Sequence, residues 1–278
     1  YEESAENLIN ANNIKLKMNK SEVDLLIDKT KKLKMSSDNY ESNNQKFENY
    51  SMSIFIVGLP RCGSTLVESI ISLNTKVKDL GEVNIFEESY REYKQSEKRK
   101  SLSEIYRKKL EIKDSKTITT TTWLFNYQYA GIIAKSIPNA KIINPLDNSL
   151  STYRAHFAKG NNFSSSLVDS AKVYSDQEEI MRTYKKEFKN HIYSLNYDKL
   201  VTHPSDEIKS LIHWLGWSWN DLYLSPHLNK RKVSTRSNVQ VRSPINTKSL
   251  GGWKNYKEML KPAMVISTKN EKYEDLTY

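Results

Sequence analysis

Residues 53–71 read SIFIVGLPRCGSTLVESII, and they predict a strand, a glycine-bounded loop and a helix, in that order. Residues 54–57 form a continuous apolar run rich in β-branched and aromatic side chains, which is typical of a strand buried on both faces of a parallel sheet. Residues 58–63 are rich in turn formers, and apolar side chains then recur at helical spacing. Ser64 and Thr65 stand where the helix is expected to begin. The segment therefore indicates an α/β domain.

The predicted loop has the features of an anion-binding site. The first N–H groups of a helix have no intrahelical partner, and the helix dipole favours negative charge beside them. Gly58 and Gly63 let the backbone bend close to a ligand, and Arg61 adds a cation whose donors suit phosphate or sulfate oxygens. Ser64 and Thr65 add hydroxyl donors. A βα turn that binds nothing is the alternative, but these features together favour anion binding.

The loop spacing nearly matches the nucleotide-binding pattern G-x-x-x-x-G-K-[ST]. Gly58 and Gly63 fit the pattern, but Ser64 occupies the position of the lysine that reaches the β- and γ-phosphates of a nucleoside triphosphate. That difference argues against an ATPase or a kinase and favours a different phosphate ester. A C-x₅-R phosphatase loop is also absent, because the sixth residue after Cys62 is Glu68.

Composition limits the partners that the chain is expected to have. The net charge of +10 over 278 residues favours an anionic partner, but no nucleic-acid-binding motif is present. The single cysteine excludes an internal disulfide, and the five dispersed histidines offer no metal-ligand spacing, so no metal is expected. No apolar run is long enough to span a membrane and no secretory segment begins the chain, so we expect a cytoplasmic location.

The rest of the chain divides into a polar N-terminal part and one large domain. Residues 1–50 predict a helical segment followed by a linker, and residues 51–278 predict a three-layer, P-loop-like α/β domain with a mainly parallel sheet flanked by helices. Besides the loop unit, the domain is expected to contain strands at 117–122, 140–143 and 191–197, and helices at 87–111, 123–137, 167–188 and 204–215.

The loop sequence GLPRCGSTLVE, residues 58–68, resembles the 5′-phosphosulfate loop of the sulfotransferases that use 3′-phosphoadenosine 5′-phosphosulfate (PAPS). The resemblance extends from about residue 54 to residue 261. It is closest to the tyrosylprotein-sulfotransferase-like group, which includes bacterial sulfotransferase domains attached to helical repeats. Cys62 stands where that group usually has serine, which preserves a backbone N–H contact but not a hydroxyl contact.

The resemblance implies transfer of a sulfuryl group from PAPS to a hydroxyl or amine, with adenosine 3′,5′-bisphosphate (PAP) as the product. Arg61, Cys62, Gly63, Ser64 and Thr65 would bind the phosphosulfate, and Arg61 would also stabilise the charge that develops during transfer. Glu82 matches the glutamate that acts as general base, and a carboxylate is what the loss of the acceptor proton requires. Relatives also carry a lysine just after the strand at 117–122, but here no lysine follows before Lys135.

The 3′-phosphate motif of the family, R-[DN]-P-x-D-x-x-L-S, is matched in part by residues 144–151. Ser151 matches the serine of the motif, and Arg154 follows one helical turn later. Ile143 occupies the place of the leading arginine, at the end of a strand that looks short. Either the arginine is lost and Arg154 or Arg242 replaces it, or the chain is interrupted between Ile143 and Asn144, and the short strand favours an interruption.

Two further segments resemble parts of the family's cofactor site. Tyr197 begins a Y-D-K-L segment similar to the family's Y-E-x-L, whose tyrosine contacts the cofactor. Residues 230–254 are long and basic, and loops of this length are usually functional or disordered. Within them, the resemblance assigns cofactor contacts in a closing loop to Ser237, Asn238, Gln240 and Arg242.

Two alternative functions stay open at this stage. One is a P-loop-type phosphotransferase that uses ATP and Mg²⁺, and the other is a non-catalytic module that binds anions or polysaccharides through a decayed transferase site. The acceptor of a transferase would be a small molecule, a glycan or a peptide, because no motif in the sequence identifies it. Nothing in the sequence indicates an oligomeric state.

Overall fold

A computed structural model describes residues 1–41, 51–96, 100–112, 114, 116–146, 153, 157, 162–231 and 239–267. Within these residues a parallel sheet of five strands has the order β2-β3-β1-β4-β5. The strands are β1 (Ser53–Ile56), β2 (Val77–Asp79), β3 (Ile118–Thr121), β4 (Ala140–Leu146) and β5 (Ile192–Asn196). The chain leaves β1 for one side of the sheet and later returns to the other side, so β1 lies at the switch point where α/β sheets usually bind ligands.

Helices cover both faces of the sheet. They are α1 (Glu2–Met18), α2 (Val23–Asp38), α3 (Ser64–Ile71), α4 (Ile85–Gln95), α5 (Leu102–Leu110), α6 (Ala130–Ser136), α7 (Leu167–Glu187), α8 (Tyr197–Thr202), α9 (Pro204–Trp214) and α10 (Lys257–Ser267). None of these described helices combines the length and the apolar character needed to cross a membrane.

Side chains of β1 alternate between two hydrophobic cores, which confirms the predicted three-layer arrangement. Phe55 packs in the core that contains residues of α4, α5, α6 and α7. Ile54 and Ile56 pack in the other core, with residues of α3 and α9. All four residues of β1 are buried, which explains why every residue of the strand after Ser53 is apolar.

Several predicted elements are confirmed, and two predicted helices are each divided. The region 87–111 forms α4 and α5 instead of one exposed helix, and the second of these begins at a capping box made by Ser101 and Glu104. The region 123–137 forms a 3₁₀ helix, Leu124–Tyr129, followed by α6. The division at 87–111 was missed because the apolar residues of α5 stand among charged ones in the sequence, so the region looked like one exposed helix.

Strand β4 contradicts the predicted interruption of the chain. It continues past Ile143 to Leu146, and its register against β5 is unbroken, with Ile143 opposite Tyr193 and Asn144 opposite Ser194. Pro145 is compatible with this strand because the pairing of β4 with β1 ends at Ile143, so the missing N–H of proline faces an unpaired side. The arginine expected before the [DN]-P pair is therefore absent from this chain.

The N-terminal helices pack on the domain. Val23 and Leu33 of α2 lie in the same core as α6 and α7. Gln128 donates hydrogen bonds to the Leu26 carbonyl at 3.1 Å and to the Thr30 hydroxyl at 3.0 Å. Helix α1 was not predicted, because its only buried residue is Asn12 and it carries no apolar stripe. The division between residues 1–50 and 51–278 stays a prediction.

Gly131 allows α2, α6 and α7 to approach closely. A Cβ atom at this position would lie 2.2 Å from Ser37 Oγ and 2.4 Å from Tyr184 Cε1. Alanine favours a helix by about 1 kcal/mol, but overpacking in a filled core costs about 1–3 kcal/mol. We expect Gly131→Ala to lower the free energy of unfolding, measured from urea midpoints. Ala134→Ser, which adds one atom on the half-buried side of the same helix, should leave it nearly unchanged. A Gly131→Ala protein as stable as the original would contradict the close approach.

Candidate functional site

The loop after β1 is held between the carboxyl ends of the two neighbouring strands. The Val57 N–H donates to the Ile143 carbonyl at 2.9 Å, and the Gly58 N–H donates to the Leu124 carbonyl at 3.1 Å. Gly58 has a φ of 142° and Arg61 a φ of 78°. A positive φ is uncommon outside glycine and tends to occur at functional sites, so the conformation of Arg61 marks the loop as specialised.

Helix α3 begins directly at the end of this loop. Gly63 is its N-cap with a φ of 90°, and Ser64 and Thr65 form the buried start of its first turn. The Leu66 and Val67 N–H groups donate to the Gly63 carbonyl. The predicted strand, loop and helix unit is therefore confirmed, with a helix N-terminus that suits an anion.

Tyr197 packs directly against the loop. A Cβ atom at Gly63 would lie 2.3 Å from a ring carbon of Tyr197, so only glycine permits this contact. Tyr197 follows β5 at the start of α8, and its hydroxyl lies 3.4 Å from Ser249 Oγ. The ring thus lies over the start of α3, and its contact with a cofactor stays a prediction.

Two other predicted site residues come from the basic segment near the C-terminus. Arg61 Nη2 donates to Gln240 Oε1 at 3.3 Å, although 179 positions separate them. Arg242 donates to the carbonyls of Asn229 at 2.5 Å and Arg231 at 2.7 Å. These two hydrogen bonds fix the backbone at residues 229–231. The structure therefore brings Gln240 to the anion loop, while Arg242 supports the backbone beside it.

Glu82 lies at the same edge of the sheet as the anion loop. It is exposed in the turn between β2 and α4. The Gly81 N–H donates to Asp79 Oδ1 at 2.8 Å, and the Thr122 N–H donates to the Gly81 carbonyl at 2.9 Å. Strand β2 lies two strands from β1, which corresponds to roughly 10 Å across a sheet. Glu82 and the loop therefore follow strand ends that are separated by one intervening strand, β3.

Neither lysine near β3 lies at this edge. Lys116 precedes β3 and is exposed at its amino end. Lys135, at the end of α6, donates to the Ser37 carbonyl at 2.8 Å and contacts Glu187 at 3.7 Å. After β3 the chain instead continues with buried Thr122 and half-buried Trp123. The lysine that relatives use to stabilise the transferring group thus has no counterpart at this strand end.

The 3′-phosphate side of the predicted site is described only in part. Ile143 is fully buried in a hydrophobic core. Asn144 follows it, and its Oδ1 accepts a hydrogen bond from Gln177 Nε2 at 3.0 Å. Ser151, Arg154, Ser237 and Asn238 lie outside the described residues, so their assignments stay predictions.

Sequence reasoning missed a charged cluster beside α3, formed by buried Glu68 and the partly buried Asp79 and Arg231. Arg231 Nη2 lies 3.0 Å from Glu68 Oε2, and Arg231 Nη1 pairs with Asp79 Oδ2. Burial, together with a hydrogen bond shared with Asp79, raises the pKa of Glu68 to about 9, and Arg231 only partly offsets these two effects. Glu68 is therefore protonated near neutral pH. A glutamate flanked by buried residues on α3 was the available signal, but its partners lie on distant parts of the chain.

A parallel sheet flanked by helices, with a glycine-bounded loop after its central strand, defines an α/β protein. The sequence pattern of the sulfotransferase family matches residues 53–221, which is more than half of the chain. The chain belongs to that family. Its relation to the tyrosylprotein-sulfotransferase-like group within the family stays a prediction.

Individual proteins resemble the chain in sequence or in fold. An uncharacterized protein of Aquifex aeolicus (strain VF5) is 30% identical over 241 residues, which cover 77% of this chain but only 32% of that protein. The sulfotransferase domain from the Synechococcus PCC 7002 olefin synthase has a similar fold, with a TM-score of 0.59 and 11% identity over 82% of this chain and 98% of that domain. The sulfotransferase domain from the curacin biosynthetic pathway gives a TM-score of 0.53 and 12% identity over 80% and 98%. At these identities the likeness concerns the fold.

The pKa of Glu68 makes stability depend on pH in a definite direction. Because its pKa rises from the usual 4.5 to about 9 in the folded protein, the folded state keeps a proton that the unfolded state releases. This group should therefore lower the free energy of unfolding by about 1.4 kcal/mol for each pH unit between about pH 5 and pH 9. We expect Glu68→Gln to remove that part of the slope in urea unfolding series.

Glu88→Gln is the matched control for this experiment, because Glu88 is exposed on α4. It should retain the slope of the original protein. If Glu68→Gln and Glu88→Gln show the same pH dependence, then Glu68 is not protonated in the folded state.

Proposed function

We propose that this chain transfers a sulfuryl group from PAPS to a hydroxyl or amine acceptor. The observation that carries the proposal is the glycine-bounded loop, with Arg61 at a positive φ and Gly63 as the N-cap of α3, in a chain of the sulfotransferase family. A carboxylate, Glu82, stands at the same edge of the sheet. Anion binding and proton removal are the two operations that the reaction needs.

The residues of the loop fit the phosphosulfate group. Gly63 holds the backbone in a left-handed conformation with Tyr197 against it, so the start of α3 has a fixed shape. Arg61 lies beside it with a fork of donors, and Gln240 orients that fork through its hydrogen bond. In the proposal, Cys62, Ser64 and Thr65 complete the contacts to the donor.

The proposed roles divide between proton transfer and charge stabilisation. PAPS supplies an activated sulfuryl group when it is bound. Glu82 accepts the proton of the acceptor hydroxyl, and its exposed position in the turn lets an acceptor reach it from solvent. Arg61 and the N–H groups of α3 stabilise the charge that develops on the oxygens. Because no lysine stands at the end of β3, the proposal assigns this stabilisation to them.

The 3′-phosphate needs a cation in a chain that lacks the family's arginine. Arg242 donates to two backbone carbonyls, and a guanidinium has five N–H donors, so donors are left for a phosphate oxygen. Arg154 is the second candidate, and Ser151, Ser237 and Asn238 are proposed to add polar contacts. The acceptor is proposed to be a small molecule, a glycan or a peptide.

The alternative functions account for fewer of the observations. A phosphotransferase lacks the loop lysine that reaches the β- and γ-phosphates, and Ser64 is in its place. A non-catalytic anion-binding module would use the same loop but would not need Glu82. The following two experiments separate these three functions.

PAP should stabilise the protein without Mg²⁺. At a concentration of about 100 times its dissociation constant, a ligand adds about 2.7 kcal/mol to the free energy of unfolding, so Tm should rise by several degrees. Arg61→Ala should lose most of this shift, because it removes the charged donor. Stabilisation by ATP with Mg²⁺ and none by PAP would point to the phosphotransferase instead.

Glu82→Gln should abolish sulfuryl transfer and preserve PAP binding. The amide has the size of the carboxylate but cannot accept the acceptor proton, so we expect turnover to fall by about 10²–10⁴-fold. Consumption of PAPS with a panel of phenol, sugar and amine acceptors measures the rate, and titration calorimetry measures PAP affinity. Glu88→Gln on α4 is the control and should behave as the original protein. Near-normal turnover in Glu82→Gln would remove this residue from the mechanism.

A further inference from the structure

The buried cation Arg231 touches two of the elements that form the site. On α3 its Nη2 lies 3.0 Å from Glu68 Oε2 and donates to Ser69 Oγ at 3.3 Å. On β2 its Nη1 pairs with Asp79 Oδ2. The Arg231 side chain is 10% exposed, so these contacts are screened little by solvent.

The contact with Asp79 extends to the turn that carries Glu82. The second carboxylate oxygen of Asp79 accepts the Gly81 N–H at 2.8 Å, one residue before Glu82. Arg231 therefore fixes the orientation of the carboxylate that holds this turn. Thr121 Oγ1 donates to the Gly81 carbonyl at 3.2 Å and holds the next peptide group, which links Gly81 to Glu82.

The backbone around Arg231 is tied to the anion loop. Asn229 Nδ2 donates to the Ser69 carbonyl and to Ser72 Oγ, both at 2.9 Å, and Asn229 Oδ1 accepts the Arg231 N–H at 3.0 Å. Arg242 donates to the Arg231 carbonyl at 2.7 Å. Gln240, which accepts from Arg61, stands two residues before Arg242. Arg231 thus joins α3, the turn that carries Glu82 and the segment whose Gln240 contacts the loop.

The charges explain why an arginine suits this position. Glu68 is protonated near neutral pH, so Asp79 is the charge partner of Arg231 and Glu68 is a hydrogen-bonding neighbour. A guanidinium presents separate donors to two oxygens at once, whereas an ammonium is a compact point charge. Lysine would therefore reach one of the two elements well and the other poorly.

We propose that Arg231 is a positioning residue that fixes Glu82 relative to the anion loop by joining Asp79 on β2 to α3. The expected effect of Arg231 on the reaction rate rests on the proposed function. The claim that Arg231 fixes the turn carrying Glu82 does not depend on turnover. Loss of Arg231 frees the Asp79 carboxylate, weakens the Gly81 hydrogen bond and lets the turn move. The anion loop keeps its own backbone contacts and its affinity.

Amide hydrogen exchange of the complete chain tests the structural content directly. In Arg231→Met, which keeps most of the side-chain volume, protection of the Gly81 amide should fall by about tenfold, while residues of the loop change much less. Arg231→Lys should restore part of this protection. Lys135→Met is the matched control: it removes a half-buried cation that contacts Glu187 and the Ser37 carbonyl, and Gly81 should keep its protection within about twofold.

Kinetics of PAPS consumption with phenol, which keeps its hydroxyl proton near neutral pH, as the acceptor probe test the catalytic consequence. Arg231→Met should lower kcat by about tenfold or more and leave the KM for PAPS and the Kd for PAP within about threefold. Arg231→Lys should recover part of kcat. A loss of PAP affinity equal to the loss of kcat would assign Arg231 to cofactor binding and overturn the proposal.

The two measurements distinguish failure of the proposal from failure of the proposed function. Unchanged protection of Gly81 in a folded Arg231→Met protein overturns the proposal, whatever the activity. Lost protection in a chain that never consumes PAPS supports the positioning role and contradicts the proposed transferase. If Arg231→Met does not fold, Asp79→Asn replaces it: its single carbonyl oxygen cannot serve both the Gly81 N–H and Arg231, as the two carboxylate oxygens do, so the protection of Gly81 should fall there as well. Unchanged protection of Gly81 in that variant would then overturn the proposal.

Discussion

The site depends on one constraint: the central strand β1 is hydrogen-bonded on both sides, and Val57 and Gly58 directly follow it. The Val57 N–H is bound to β4 and the Gly58 N–H to the segment after β3, so the following loop must leave the sheet between two strand ends. After a buried parallel strand, the chain can leave the sheet only at the carboxyl end of that strand. The start of α3, the turn after β2 and the end of β4 all meet there because their strands point the same way.

Elements set by local periodicity could be predicted from the sequence. The apolar run of β1, the stripe of Ile208, Leu211 and Ile212 on α9, and the Ser166 cap of α7 each depend on neighbours in sequence. Strand β2 has three residues with no buried side chain among them, so periodicity carried no signal for it. Its position is determined by pairing with β3, which the sequence alone does not reveal.

The candidate site was predictable where a short motif carries it, and not where distant segments meet. Arg61, Gly63 and the start of α3 follow from one continuous motif. Segments more than 150 positions apart meet in the contact between Arg61 and Gln240 and in the contact between Arg231 and Asp79. Contacts between such distant segments produce no local pattern in the sequence. The end of β4 is the reverse case. The motif predicted an arginine there, but at Ile143 the hydrophobic core includes an apolar side chain instead.

Two glutamates near the loop differ in what their surroundings allow. Glu68 belongs to the loop motif, yet it is 1% exposed, and burial raises its pKa to about 9. A carboxylic acid that stays protonated and has no access to solvent cannot take a proton from an acceptor at neutral pH. Glu82 lies in an exposed turn whose backbone is fixed by Asp79 and β3. Burial therefore distinguishes Glu68, which has a structural role, from Glu82, which is the candidate base. Closeness to the loop in sequence does not make this distinction.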